Sequence, residues 1–147
     1  EEACGEPMLW APTTGAPHMQ FAYTILYVQD VPATLAFYEQ AFGQRRRFLH
    51  PEGDFGELDT GGTALAFSSL ALMERLGKSP RPALAGAPSA EVAFTTDDVP
   101  AALARAVTAG AALVQAPEQM PWGQTVAYVH DNNGFLVELC TPVAPPA

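Results

Sequence analysis

The sequence predicts an α+β domain in which one βαβββ unit is used twice, and three observations carry that reading. Asp30-Val31-Pro32-Ala33-Thr34-Leu35-Ala36 returns as Asp98-Val99-Pro100-Ala101-Ala102-Leu103-Ala104, with six of seven letters shared. Each copy follows a short apolar run of strand character and opens an amphipathic helix. Each helix is then followed by short strand-like segments separated by Gly, Pro and Asn turns.

The chain of 147 residues is about one domain long, and 48% of it is hydrophobic, enough for a core. No apolar run approaches the roughly 18 residues of a spanning helix, so no membrane partner is expected. Seven basic residues against 16 acidic ones give a net charge of −9. That excludes the basic footprint of a nucleic-acid binder and suits a neutral or cationic ligand. Cys4 and Cys140 show neither CxxC spacing nor a disulfide framework, which points to a reducing, cytoplasmic setting. Cys140 reads as a small core residue within a strand.

Residues 1–18 are rich in Pro, Gly and Thr, lack periodicity and lack the basic start of a signal peptide. They read as a leader or tag-like extension, with Met8, Leu9 and Trp10 able to dock in an apolar groove. The first module, 19–68, opens with a strand over 21–28. Asp30 then stands ahead of Pro32, which suits a first helical turn because the missing N–H is an orphan there anyway. The helix runs to Phe42 and stops at Gly43. Strands over 44–50, 54–59 and 63–68 are broken by Pro51-Glu52-Gly53 and Gly61-Gly62. A linker, 69–88, carries a short helix over 70–76. The second module, 89–142, repeats the order with a strand over 90–96, a helix over 100–109 ended by Gly110, and strands over 112–116, 122–130 and 134–141. Asp131-Asn132-Asn133-Gly134 is a strong turn between the last two. Residues 143–147 are a tail.

Strand alternation assigns faces. Thr24, Leu26 and Val28, Val92 and Phe94, and Phe135, Val137 and Leu139 turn to the helices. Tyr23, Ile25 and Tyr27 then lie on the other side, with Glu91, Ala93 and Thr95 and with Leu136, Glu138 and Cys140. Matching Phe55-Gly56 to Trp122-Gly123 adds Phe55, Glu57, Trp122, Gln124 and Tyr128 to that open face. The face is aromatic and acidic, which suits a flat or cationic organic molecule through stacking, cation–π contact and carboxylate pairing. Glu91 and Glu138 buried together raise each other's pKa, so an acid/base pair is a second possibility. His50 and His130 end strands near turns and read as surface residues; in a cavity either would serve as a general base. Arg45-Arg46-Arg47 reads as a solvated edge strand that discourages sheet-to-sheet pairing.

Val28-Gln29-Asp30-Val31, Phe37-Tyr38, Ala41-Phe42-Gly43, Pro121-Trp122-Gly123-Gln124 and Asp131-Asn132-Asn133-Gly134-Phe135-Leu136-Val137-Glu138-Leu139 together resemble the vicinal oxygen chelate superfamily. That group includes glyoxalase I, bleomycin-resistance proteins, fosfomycin-resistance transferases and extradiol dioxygenases. The resemblance implies a curved eight-stranded mixed sheet with helices on its convex side, a ligand cavity on the concave side, and a homodimer. It also implies that the positions which ligate a divalent ion in metal-dependent members fall at Tyr23, Ala66, Glu91 and Glu138. No histidine stands among them, so no metal or other cofactor is expected; Mg or Mn held by Glu91 and Glu138 with waters is the alternative.

Three functions are compatible with this reading. The first is a binder that sequesters an aromatic or cationic small molecule, such as a drug. The second is a lyase, isomerase or dioxygenase-like enzyme using Glu91 and Glu138. The third is a non-catalytic accessory domain.

Overall fold

The computed structural model describes residues 18–143. The chain runs β1 (Tyr23–Val28), α1 (Val31–Phe42), β2 (Arg45–Leu49), β3 (Phe55–Asp59), β4 (Ala64–Ser69) and α2 (Leu70–Arg75). It continues with β5 (Glu91–Thr95), α3 (Val99–Thr108), β6 (Ala112–Gln119), β7 (Thr125–His130) and β8 (Leu136–Cys140). The eight expected strands hydrogen-bond as two sheets of four, ordered β1-β4-β3-β2 and β5-β8-β7-β6. In each sheet the first strand runs parallel to the last, and the other pairs are antiparallel. The α+β architecture of two βαβββ modules is therefore present. No helix among the described residues is long and apolar enough to cross a membrane.

The repeated heptapeptide acts through the same local chemistry twice. Asp30, extended at φ −134°, accepts the Ala33 N–H at 2.9 Å; Asp98, at φ −137°, accepts the Ala101 N–H at 3.0 Å. Each aspartate satisfies an orphan donor of its helix and lies against the positive dipole end. Gly43 then takes the left-handed conformation, φ 66°, that closes α1.

Both helices bury one side in a shared core that includes Val28, Leu35, Phe37, Tyr38, Leu58 and Phe67 from the first module and Ala106, Val129, Val137 and Leu139 from the second. The modules meet through α1 and α3. Tyr38, wholly buried, packs edge-on against Phe37, Phe42 and Phe94 and donates its hydroxyl to Asp131 Oδ2 at 2.7 Å. Asp131 Oδ1 in turn accepts the N–H groups of Asn133 and Phe135, both at 2.8 Å, while Asn133 donates to Thr34 at 3.0 Å. Arg105 of α3 donates to the Gln40 carbonyl near the end of α1 at 2.9 Å. The two modules are thus latched on the helix side of their sheets.

Several boundaries move from expectation. The strand expected to begin at 122 starts at Thr125, because Gly123 adopts φ 97° in a turn closed by its N–H on the Met120 carbonyl at 2.8 Å. The strand expected over 112–116 continues to Gln119, with two register shifts on the way. The extension over residues 1–17, with Cys4 and the apolar Met8-Leu9-Trp10, lies outside the described residues.

Candidate functional site: the open faces of the two sheets

Cross-strand register settles which side chains share a face. Gly56 marks the helix side of the first sheet, since a Cβ there would stand 2.7 Å from Leu35 and 3.3 Å from Val31 of α1. Its neighbours in sequence, Phe55 and Glu57, therefore lie on the opposite, open face. The rows on that face read Tyr27–Ser68–Phe55 and Ile25–Ala66–Glu57, with Tyr23 opposite Ala64. On the second sheet, Val137 and Leu139 belong to the core, so the open rows are Glu91–Leu136–His130, Ala93–Glu138–Tyr128 and Thr95–Cys140–Val126. Gln124 extends the alternation beyond the strand, and Trp122 stands in the turn before it. Trp122 donates its indole N–H to Gln124 Oε1 at 2.8 Å, and Gln124 donates to the Thr141 carbonyl at 2.9 Å. The indole of Trp122 is thereby oriented although 64% exposed.

The expected residues thus divide between two faces. Tyr23, Tyr27, Phe55 and Glu57 share the first sheet; Glu91, Trp122, Gln124, Tyr128, Leu136 and Glu138 share the second. One step of the sequence reading is corrected. Phe55 opposes Ser68 as Val126 opposes Cys140, so the counterpart of Phe55 is Val126 rather than Trp122. The slip is four residues, an even number, which left every side chain on its assigned face.

Phe48, His130 and Ser68 are among the open-face residues that were not singled out for it. Phe48 reaches it through a register shift after Arg46 that places it opposite Glu57, with its ring 5.9 Å from that of Phe55; nothing in the local sequence announces a bulge. His130 was read as a surface residue, yet its even spacing from Tyr128 already placed it there. Ser68 lies between Tyr27 and Phe55 and is wholly buried. His50, by contrast, is exposed at the β2–β3 hairpin, and β2 with its three arginines is an edge strand.

The second face concentrates negative charge. Burial and then the neighbouring Glu91 carboxyl push Glu138 above the usual glutamate range. Burial, then Glu138 and Glu91, raise the Tyr128 phenol, and burial followed by Glu138 raises the Cys140 thiol. Glu138 and Glu91 are diagonal neighbours on adjacent strands, and each carboxylate disfavours ionisation of the other. The described arginine and histidine ion pairs go elsewhere: Arg46 to Glu39, Arg47 to Glu57, and His50 and Arg75 to Asp54.

The four positions equivalent to metal ligands are divided between the sheets. Tyr23 and Ala66 are on one sheet and Glu91 and Glu138 on the other, with no imidazole and one methyl group among the four. Among the described residues, the group whose ligand atoms converge within 4.8 Å is His50, Glu52 and Asp54, at the hairpin. There Asp54 already pairs with Arg75 at 3.3 Å.

Two clefts, of about 370 and 340 Å³, lie away from both open faces, whereas one of about 350 Å³ runs between the sheets past Ala64, Glu91 and Ala93. The first sits between the end of α1 and the start of α3, the second between the 81–90 segment and the start of β8. Tyr23 stays 49% exposed and Glu91 is exposed, so this single chain does not roof its own open faces.

The comparisons agree with this architecture. The profile of the Glyoxalase/Bleomycin resistance protein/Dioxygenase superfamily matches residues 20–139. A glyoxalase-related enzyme from Fulvimarina pelagi is 25% identical, with a TM-score of 0.73 over 85% of this chain and 89% of that one. A glyoxalase/bleomycin resistance protein/dioxygenase from Nocardioides, 18% identical, superposes at a TM-score of 0.69 over 90% and 89% of the two chains. TioX from Micromonospora sp. ML1, 24% identical, does so at 0.64 over 84% and 98%. No curated protein is similar enough in sequence to match. With two βαβββ modules and a profile match across nearly all of both, the chain belongs to the Glyoxalase/Bleomycin resistance protein/Dioxygenase superfamily.

Proposed function

We propose that this protein binds a flat, cationic organic molecule, of the kind many drugs are, and sequesters it without chemistry. The observation that carries the reading is the Glu91–Glu138 pair. Two carboxyls crowd together beside Tyr128, Glu138 is pushed toward its protonated form, and no arginine or lysine among the described residues pairs with either. Such a pair favours any cation that can take the place of the proton on Glu138. Tyr128 and the oriented Trp122 offer π faces to a planar one, each contact worth about 0.5–2 kcal/mol. Tyr27 and Phe55 offer further π faces on the first sheet, where Glu57 is already paired with Arg47. A second copy of the chain would bring one sheet's open face against the other's, which accounts for the exposure of Tyr23 and Trp122 and makes a homodimer part of the proposal. The free thiol of Cys140 suits a reducing, cytoplasmic setting.

The test is a titration with N-methylacridinium, a planar dye of permanent charge, against neutral acridine near neutral pH. Wild type should prefer the cation, and Glu138→Gln should weaken it on the order of tenfold, about 1.4 kcal/mol. Equal affinity in the variant would remove the carboxylate pair from recognition.

The raised pKa of Glu138 also favours a second reading, proton transfer by an enzyme in which Glu138 and Glu91 act as acid and base. A Mg or Mn ion held by the two carboxylates would be an addition to that reading, not a requirement. Turnover of a vicinal-oxygen compound, abolished in Glu138→Gln, would establish it. An accessory domain without ligand would show no stabilisation by any dye.

A further inference from the structure

Ser68 is the one side chain among the described residues whose buried polar atom has no hydrogen-bond partner. Its hydroxyl lies on the open side of β4, opposite Tyr27 on β1 and Phe55 on β3, and its exposure is 0%. Ala66, two residues earlier on the same face, is equally buried. The short helix α2 contacts both β4 and β1 and carries the buried Met73, which stands outside the core shared with α1 and α3. The end of the first sheet's open face is therefore covered from α2's side. A cleft of about 260 Å³ runs up to this cover, lined in part by Tyr27 and by Leu70, the first residue of α2.

A buried hydroxyl without a partner is a liability to the folded state, and native proteins keep only a few such groups. The counterpart of Ser68 in the second module is Cys140, which meets the same steric demand with a weaker polar group. Size does not require the hydroxyl here. The geometry points to Ser68 as a specificity-determining residue: its Oγ accepts an N–H from an aryl amine at the edge of the bound molecule once Tyr27 swings aside toward the cleft. An amine suits the place better than an acid, because Glu57 occupies the adjoining row of the same face. The inference rests on the ligand-binding reading above and narrows its ligand class to planar cations bearing a ring amine.

The experiment compares two planar cations, proflavine, with ring amines, and N-methylacridinium, without them, on wild type and Ser68→Ala. Removing an unpartnered hydroxyl should leave the ligand-free melting temperature unchanged or higher. It should weaken proflavine by about three- to tenfold, the size of one hydrogen bond, and leave N-methylacridinium unaffected. A melting temperature several degrees lower in Ser68→Ala would show that the hydroxyl serves the fold, and would overturn the assignment. So would equal loss for both dyes, or no loss for proflavine. If wild type binds neither dye, the ligand reading itself fails and the role of Ser68 fails with it; binding that depends on Glu138 but not on Ser68 removes the latter alone.

Discussion

Asp30 and Asp98 cap their helices with nearly the same geometry, yet the strands those helices cover carry unlike chemistry on the far side. Where the first module places Tyr23, Ala66 and Ser68, the second places Glu91, Glu138 and Cys140 at the corresponding points of the register. Glu57 of the first corresponds to Tyr128 of the second, and Phe55 to Val126. The helix side is similar in both modules because it must pack against an amphipathic helix. The open side answers to no such demand and has diverged into an aromatic face and an acidic one. Function should therefore follow the difference between the modules, and stability their likeness.

The largest expected effect tests the joint between them. Asp131→Ala leaves the Tyr38 hydroxyl and two turn N–H groups without their acceptor. It should cost about 3 kcal/mol in chemical denaturation. A loss below about 1 kcal/mol would mean that the Tyr38–Asp131 bond contributes little to the joint.

Gly56→Ala should come next. Its Cβ would meet Leu35 at 2.7 Å and the Phe48 carbonyl oxygen at 3.2 Å, an overpacking worth about 1–3 kcal/mol. The corresponding residue of the second module is already an alanine, the buried Ala127. There the reverse change, Ala127→Gly, should cost about 1 kcal/mol through backbone entropy and a lost methyl group. If Gly56→Ala is neutral, the first helix packs less closely on its sheet than described.

The two caps sharpen the likeness. Asp30→Ala and Asp98→Ala should each lose about 1 kcal/mol, and unequal losses would show that the repeated heptapeptide is only superficially repeated in structure. A smaller effect is expected on the acidic face. Because the folded pKa of Glu138 is raised, the folded state holds its proton more tightly than the unfolded chain. Stability therefore falls as pH rises from the usual glutamate value through the raised one. Glu138→Gln removes that fall, so its melting temperature should match wild type in acid and exceed it slightly near neutral pH. A variant that melts below wild type near neutral pH would contradict the crowding of the two carboxyls.

Most of the fold was legible because duplication, capping and turn chemistry all pointed the same way. Asp30-Val31-Pro32 and its repeat announced two helices, and Asp131-Asn132-Asn133-Gly134 announced the last hairpin. Faces were legible too, since alternation survives any slip by an even number of residues; the mismatch of Phe55 with Trp122 did no harm for that reason. Phe48 was hidden because a bulge changes the count within a strand and leaves no mark in the letters. The burial of Ser68 and the latch between Tyr38 and Asp131 were equally silent, because each depends on elements far apart in the sequence. The division of the expected site between two sheets was silent as well. Periodicity reports which face a residue takes and not which sheets share a hydrogen-bonded edge.

The most direct measurement is the affinity of N-methylacridinium between about pH 4.5 and about pH 7, the range in which a raised glutamate such as Glu138 titrates and the dye's charge does not change. If Glu138 exchanges its proton for the ligand's positive charge, wild-type affinity should climb steadily across that range. The climb should be much shallower in Glu138→Gln. A wild-type affinity independent of pH, or one that rises equally in the variant, would contradict recognition of a cation by the acidic face of the second module.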